Sequence, residues 1–151
     1  MRVIKVFADT NVMFYGRDDA DDLKVITARH WVSYAAKMNA LCLNLQVLNE
    51  LTTVLLRKRK QLRPAQVFEA VDTLIPFGAS PVNLETVESA RRLHTTLGYS
   101  WWDCVLLASA LELRCSHFLS EDLSDSQQIA GMTIINPFLH SPEAIFGARQ
   151  D

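Results

Sequence analysis

Four acidic residues stand at positions where the neighbouring sequence is strongly apolar: Asp9, Glu50, Asp103 and Asp122. Asp9 and Asp122 each come at or shortly after the end of a short apolar run that is typical of a buried strand. The carboxyl ends of parallel strands meet at one edge of an open α/β sheet, and such sheets build their ligand sites there. We therefore expect both carboxylates at that edge.

Glu50 and Asp103 belong to predicted helices. Glu50 lies three residues after Val47 and four before Val54, a spacing that places its carboxylate on or beside the apolar face. Asp103 lies three residues before Leu106, at the start of one of the most hydrophobic segments of the chain. A buried carboxylate without a partner is costly, so each of these side chains needs a cation, a metal or a network of hydrogen bonds.

Three of the acids also have a purely structural interpretation. Ser100 and Asp103 have the spacing of a capping box, in which the acid would simply help to start its helix. Glu50 could pair with a buried Arg or Lys. Asp9 could be a turn residue, because Asp is common where strands end.

The assignment of the fourth acid is open for a different reason. Asp122 has two acidic neighbours, Glu121 and Asp125, and acidic loops are often only solvated. The sequence alone does not choose among these three carboxylates.

Taken together, the acids predict a site for a hard divalent cation. Two carboxylates about 4 Å apart repel by about 4 kcal/mol at an effective dielectric near 20, so several could converge only around a compensating charge. Ligand sets made only of oxygen suit Mg²⁺ or Mn²⁺, whereas zinc prefers His or Cys. One or two such ions can activate a water and stabilise charge on a phosphodiester, and a carboxylate can accept a proton from that water. Phosphodiester hydrolysis is the predicted chemistry, with other metal-assisted hydrolyses left open.

The elements that would position these acids follow from the apolar pattern. Continuously apolar runs predict strands at 3–8, 40–43, 117–119 and 132–135. Periodic apolar residues and capping signals predict helices at 18–38, 45–59, 64–75, 84–97 and 101–114, with a weak strand or linker at 77–82. Because helices alternate with short, fully apolar strands, the pattern favours an α/β fold with a parallel sheet covered on both faces.

Composition excludes several classes of protein. A chain of 151 residues with a net charge of −2 predicts a single domain, residues 1–151, without the broad basic face of a dedicated nucleic-acid binder. The three cysteines form no CxxC pair, which favours reduced thiols. Without a signal peptide or an 18-residue apolar run, we expect a cytoplasmic protein with no membrane contact. GxGxxG, P-loop and GxSxG motifs are missing, so neither a nucleotide cofactor nor a serine hydrolase is expected.

Two further features could serve a nucleic-acid substrate. The basic run 57–60, with Arg63 nearby, is either a solvated helix end that complements the helix dipole or a patch that contacts phosphates. Trp101 and Trp102 adjoin Asp103 and could stack on a base. We expect at least one of the two indoles to lie in the core.

At these positions the sequence resembles the PIN-domain family, and especially the VapC-type toxin ribonucleases of bacterial toxin–antitoxin pairs. The matching segments span most of the chain in the order typical of the family: 7–12 (FADTNV), 48–51 (LNEL), 100–104 (SWWDC), 118–122 (FLSED) and 134–138 (IINPF). Each segment is short and weakly diagnostic alone. The ordered set is fairly specific.

The resemblance implies a three-layer α/β/α sandwich with a central, mostly parallel sheet. It also implies roles for residues: Asp9, Glu50 and Asp103 would bind one or two Mg²⁺ or Mn²⁺ ions, with Asp122 as the fourth acid, Thr10 and Asn11 orienting the first acid, and Ser120 as the small hydroxyl residue of the last motif. Cleavage of single-stranded RNA, a homodimer and inhibition by an antitoxin protein are implied as well.

The leading hypothesis is therefore a metal-dependent endoribonuclease, the toxin of a toxin–antitoxin pair. The alternative is a catalytically weak PIN-like module that binds RNA or a partner protein, although convergent carboxylates would not help a module to bind an anionic ligand. A phosphatase of the haloacid dehalogenase type would need a second Asp two residues after Asp9, where this chain has Asn11.

Overall fold

The computed structural model describes residues 3–16 and 22–147. Backbone contacts divide the chain into two compact units, which we call the sheet unit (Met1–Cys42 with Cys115–Asp151) and the helical unit (Leu43–Arg114). Residues 18–21, the acidic start of the predicted helix 18–38, lie outside the described residues. No helix in the described part of the chain combines the length and apolarity needed to span a membrane.

The sheet unit contains a five-stranded sheet in the order β2-β1-β3-β5-β4. The strands are β1 (Val6–Ala8), β2 (Leu41–Cys42), β3 (His117–Leu119), β4 (Gln128–Ile129) and β5 (Met132–Ile135). All neighbouring strands are parallel except β4 and β5, which form an antiparallel pair. The predicted α/β class with a mostly parallel sheet is confirmed.

The interior strand β1 of this sheet is fully buried. Val6, Phe7 and Ala8 have no exposed surface, and the ring of Phe7 stacks on that of Phe118 with centroids 5.4 Å apart. Strands buried on both faces carry continuous rather than alternating apolar residues, which is why the sequence pattern identified them. Ala8 pairs with Leu119 in the register of β1 and β3, so the residues that follow these two strands emerge together at one edge.

Helices of both units begin and end at recognisable residues. In chain order they are α1 (Thr10–Tyr15), α2 (Leu23–Lys37), α3 (Leu45–Lys58), α4 (Pro64–Asp72), α5 (Leu84–Leu97), α6 (Trp101–Glu112) and α7 (Pro142–Gly147). The side chain of Asn44 accepts the Val47 N–H and starts α3, within one residue of the predicted start at 45. Gly98 ends α5 in the left-handed conformation, with φ of 74°.

The apolar spacing in helix 18–38 predicts a buried stripe, and that prediction is partly wrong; its members are Leu23, Ile26, Trp31, Tyr34, Ala35 and Met38. Trp31 and Ala35 are buried, but Leu23 and Ile26 are 77% and 49% exposed. Val25 and Ala28, which lie outside the predicted stripe, are buried. The predicted stripe follows mainly the large side chains, whereas the buried face of α2 includes the small residue Ala28.

The segment predicted as a weak strand or linker, 77–82, begins in a 3-10 turn (Ile75–Phe77). It then runs beside the start of the helical unit, where the carbonyl of Phe77 accepts the Leu43 N–H at 3.0 Å. Gly78 permits this approach: its φ is 133°, and a Cβ there would lie 2.2 Å from the carbonyl oxygen of Leu43. Only glycine fits such a position without strain.

Candidate active site

Asp9 lies at the end of β1 and starts α1. Its backbone N–H donates to the Leu119 carbonyl at 3.2 Å, which continues the β1–β3 ladder by one residue. Its Oδ1 accepts the N–H of Val12 at 3.2 Å, the bond of an N-cap. The side chain is only 6% exposed, so this carboxylate is held in one orientation at the edge of the sheet.

Asp122 is connected to the same edge through the loop that follows β3. Buried Ser120 accepts the Asp122 N–H on its Oγ at 3.2 Å, which shapes the loop as an ST turn. Asn11 Nδ2 donates to Asp122 Oδ2 at 3.3 Å. The residues after β1 and those after β3 therefore meet through a direct contact between side chains.

Glu121, the nearest competing acid, has its own cationic partner. Its Oε2 lies 2.8 Å from Lys24 Nζ, and Tyr15 donates its hydroxyl to Oε1 at 3.3 Å. Burial and the adjacent Glu121 raise the pKa of Tyr15, and the hydrogen bond to Glu121 raises the pKa of Lys24. Lys24 therefore stays charged, and the Tyr15 hydroxyl stays a donor, across the neutral range.

Asp125, the other competing acid, has a structural role in the loop before β4. Its Oδ1 accepts the Asn136 N–H at 2.8 Å, and its Oδ2 lies 2.7 Å from His140 Nε2. Partial burial alone would raise the pKa of Asp125, but these hydrogen bonds outweigh it and lower that pKa. The sheet unit thus leaves Asp122 as the acid directed toward Asn11.

In the helical unit, Glu50 lies on α3 between residues of the apolar face. Val47 and Leu51 are fully buried, while the Glu50 side chain is half-buried. The prediction that its carboxylate lies beside the apolar face agrees with this pattern of burial.

Asp103 is part of the N-terminal cap of α6. The Ser100 hydroxyl accepts the Asp103 N–H at 3.3 Å and donates to Asp103 Oδ2 at 2.7 Å. Ser100 therefore caps α6, and the Asp103 carboxylate supports that cap through one of its two oxygens. A carboxylate has about four lone-pair positions, so one such bond leaves room for a further ligand.

The structure therefore brings Asp9, Asn11, Ser120 and Asp122 together in the sheet unit, with Thr10, which is 9% exposed, between Asp9 and Asn11. Glu50 and Asp103 belong to different helices of the helical unit. Among the described residues, no group of three or more His, Cys, Asp or Glu side chains is arranged to hold a metal ion. Mg²⁺ commonly uses one or two carboxylates completed by waters and substrate phosphates, so the oxygen-only donors here fit such an ion.

Sequence reasoning missed the partners of the competing acids. Lys24 and Glu121 are 97 residues apart, and Lys24 also lies 5.2 Å from the ring centroid of Phe138. No local pattern marks such a pair, because the contact exists only once α2 and the loop after β3 are folded.

Comparison with known proteins identifies the family. Residues 6–127 match the PIN domain, which is most of the chain. No curated protein sequence matches it.

Solved structures with a similar fold include proteins from three bacteria. A toxin–antitoxin complex from Klebsiella pneumoniae is 15% identical, with a TM-score of 0.61 over 88% of this chain and 98% of that chain. VapBC2 from Rickettsia felis, bound to a DNA fragment from its promoter, is 14% identical, with a TM-score of 0.63 over the same shares of the two chains, 88% and 98%. VapC20 from Mycobacterium tuberculosis, a toxin that cleaves the sarcin–ricin loop, is 18% identical, with a TM-score of 0.57 over 76% and 87%. At these identities the likeness shows a shared fold.

Proposed function

The chain belongs to the PIN-domain family, and on that premise we propose that it is a Mg²⁺- or Mn²⁺-dependent endoribonuclease that cleaves single-stranded RNA. The observation that carries the proposal is the contact between Asn11 and Asp122, which joins the loop after β3 to the residue pair that follows Asp9. This arrangement at the carboxyl edge of a parallel sheet is the usual location of a site in such folds. The acids proposed as metal ligands are Asp9 and Asp122 of the sheet unit and Glu50 and Asp103 of the helical unit.

The residues around these acids have distinct proposed tasks. A bound ion would activate water and neutralise charge on the phosphodiester. Asp9 would hold one orientation because its Oδ1 caps α1, and Thr10 and Asn11 would hold the first turn that orients it. Ser120 would fix the loop that presents Asp122. The ion pair of Glu121 with Lys24 would keep this additional carboxylate from competing for the metal.

The test is cleavage of a mixed-sequence single-stranded RNA, with a duplex of the same sequence beside it, in Mn²⁺, in Mg²⁺ and in chelator. We expect cleavage of the single strand only, dependent on metal. Asp122→Asn should lower the rate by more than the roughly 10- to 100-fold that loss of an outer-shell partner costs. Glu121→Gln is the matched control, because it removes the charge of the residue next to Asp122. This variant should keep most of the cleavage activity.

Two outcomes would contradict parts of this proposal. If Glu121→Gln abolishes cleavage and Asp122→Asn does not, the fourth acid is misassigned. If folded wild-type protein, purified free of any inhibitor, cleaves no RNA in either metal, the enzyme proposal fails. The binding-module alternative would then be the better description.

We extend the proposal to a toxin that acts in the cytoplasm, forms a homodimer and is held inactive by an antitoxin. Support comes from the relatives of similar fold, among which the Klebsiella pneumoniae structure is a toxin–antitoxin complex. Light scattering on the purified protein would test the dimer by its molar mass, which should be twice the 17.1 kDa of one chain. A monomer at micromolar concentration would contradict it.

A further inference from the structure

Trp102 exposes its indole although the adjacent tryptophan is packed. Trp102 is 55% exposed, whereas Trp101 packs against a buried cluster that includes Ala90, Cys104 and Val105. Trp is usually well buried in folded proteins. Packing of the helical unit therefore explains why a tryptophan stands at position 101. It does not explain why the exposed position 102 is also a tryptophan.

The exposed indole belongs to a rigid part of the helical unit. Trp102 is the second residue of α6, between Trp101 and Asp103. Ser100 fixes this turn, because its hydroxyl accepts the Asp103 N–H and donates to the Asp103 carboxylate. An indole on a fixed backbone has only two side-chain torsions left to order, so binding to its face costs little conformational entropy.

Trp102 is also isolated from other exposed apolar side chains of its helix. Val105 and Leu106, three and four residues further along α6, are 1% and 3% exposed. Within α6, Trp102 is the large hydrophobic residue that remains exposed. A protein partner needs a broad patch of surface, whereas one nucleic-acid base needs only one aromatic face. Along α6 the indole thus offers a single exposed aromatic face, which is enough for one base.

We propose that Trp102 stacks on an unpaired base of the RNA substrate. The inference rests on the proposed function, because the adjacent Asp103 would contact the metal-bound phosphodiester, and a base is separated from its phosphate only by the sugar. Bases of a single strand are free to stack on protein side chains, whereas those of a duplex stack on each other. Trp102 would thus contribute to a preference for single strands without reading a particular sequence.

The experiment measures binding of a short fluorescein-labelled single-stranded RNA to the full chain, at one fixed salt concentration and in Ca²⁺. Absence of cleavage under these conditions is checked on a gel. A counterpart RNA of equal length with abasic nucleotides keeps the phosphates and removes the stacking faces. Trp102→Ala is compared with wild type, with Trp102→Phe, and with Phe68→Ala, which removes an aromatic of similar exposure (50%) from α4.

We expect Trp102→Ala to weaken binding of the normal RNA by about 5- to 150-fold, the range for loss of one base–aromatic stack. Binding of the abasic RNA should be unchanged. Trp102→Phe should recover most of the affinity, and Phe68→Ala should match wild type.

The inference is overturned if Trp102→Ala binds the normal RNA as wild type does, or if it weakens both RNAs equally. Either result leaves the proposed function intact provided that the wild-type protein still cleaves RNA in Mn²⁺ or Mg²⁺. If the wild-type protein neither binds nor cleaves RNA, the proposed function and this inference fail together.

Discussion

Replacing Asp9 by Asn and by Ala should separate its capping role from its proposed metal-binding role. Asp9 Oδ1 accepts the Val12 N–H at 3.2 Å, and Asn caps helices about as well as Asp, whereas Ala costs about 1 kcal/mol. Without metal, the free energy of unfolding of Asp9→Asn should therefore lie within about 0.5 kcal/mol of the wild-type value. Asp9→Ala should lose about 1 kcal/mol, or roughly 2–4 °C in Tm for a domain of this size.

Added metal should separate both Asp9 variants from wild type. An ion that binds only the folded protein stabilises it by about 2.7 kcal/mol at a concentration 100 times its Kd. For a chain of 151 residues, that is a rise of about 5–11 °C in Tm. Wild type should show the rise in Mn²⁺. Both Asp9 variants should lose most of it, and both should lose RNA cleavage, because neither offers a carboxylate.

The assay is thermal unfolding followed by circular dichroism, in chelator and in Mn²⁺, beside RNA cleavage. Asn44→Ala is the control, since it removes an equivalent cap, the bond from the Val47 N–H at 3.0 Å, without touching a candidate ligand. Asn44→Ala should lower the free energy of unfolding in chelator, as loss of a helix cap does, and should keep the rise in Tm that Mn²⁺ produces. An Asp9→Asn variant that retains both the metal response and cleavage would refute the role assigned to Asp9.

Two further predictions concern stability. Gly78→Ala should lower the free energy of unfolding in urea by more than about 2 kcal/mol, because the new Cβ would lie 2.2 Å from the Leu43 carbonyl oxygen. Gly98→Ala should lower it by about 1 kcal/mol, because Gly98 has a φ of 74° but no heavy atom within 4 Å of the added Cβ. Equal losses would contradict the close approach at Gly78. Hydrogen bonds, including that with His140, lower the pKa of Asp125 in the folded protein despite its partial burial. The ionised carboxylate therefore stabilises the fold fully above the ordinary Asp pKa near 4, and this stabilisation is lost as the pH falls through the lower pKa of the folded state. Asp125→Asn should therefore reduce Tm at neutral pH and flatten its fall below about pH 4; a Tm–pH curve of unchanged shape would show that this carboxylate is not linked to folding.

Elements with a strong local signal could be predicted from the sequence. Strands β3 and β5 have the predicted bounds, 117–119 and 132–135, because most of their residues are apolar and buried, as in strands covered on both faces. The missed elements are short: α1 and α7 have six residues each and β4 has two. Periodicity cannot be recognised over so few residues. The feature that could have indicated β4 is the turn that joins it to β5. Its two residues, Ala130 and Gly131, both have positive φ, as a two-residue hairpin requires.

The candidate site was predictable where the chain itself positions the acid. Asp9 follows its strand directly, and Asp103 follows its capping serine by three residues, so local rules were enough to identify both. The proposal of Asp122 rather than Glu121 as the fourth acid draws on Lys24, a residue of α2 that pairs with Glu121. That information is tertiary, and a single sequence does not contain it in any local pattern.

The structural and catalytic interpretations of these acids are not alternatives. A hydrogen bond fixes the torsions of a carboxylate at a helix N-terminus: Asp9 accepts the Val12 N–H, and Asp103 accepts the Ser100 hydroxyl. Preorganised ligands avoid the entropy cost of being ordered when an ion and a phosphate arrive. Ala substitution at either residue removes this hydrogen bond and the charge together and cannot distinguish their effects. Substitution by Asn retains an oxygen that can accept a hydrogen bond, so a loss of metal response in Asn variants would report the missing charge.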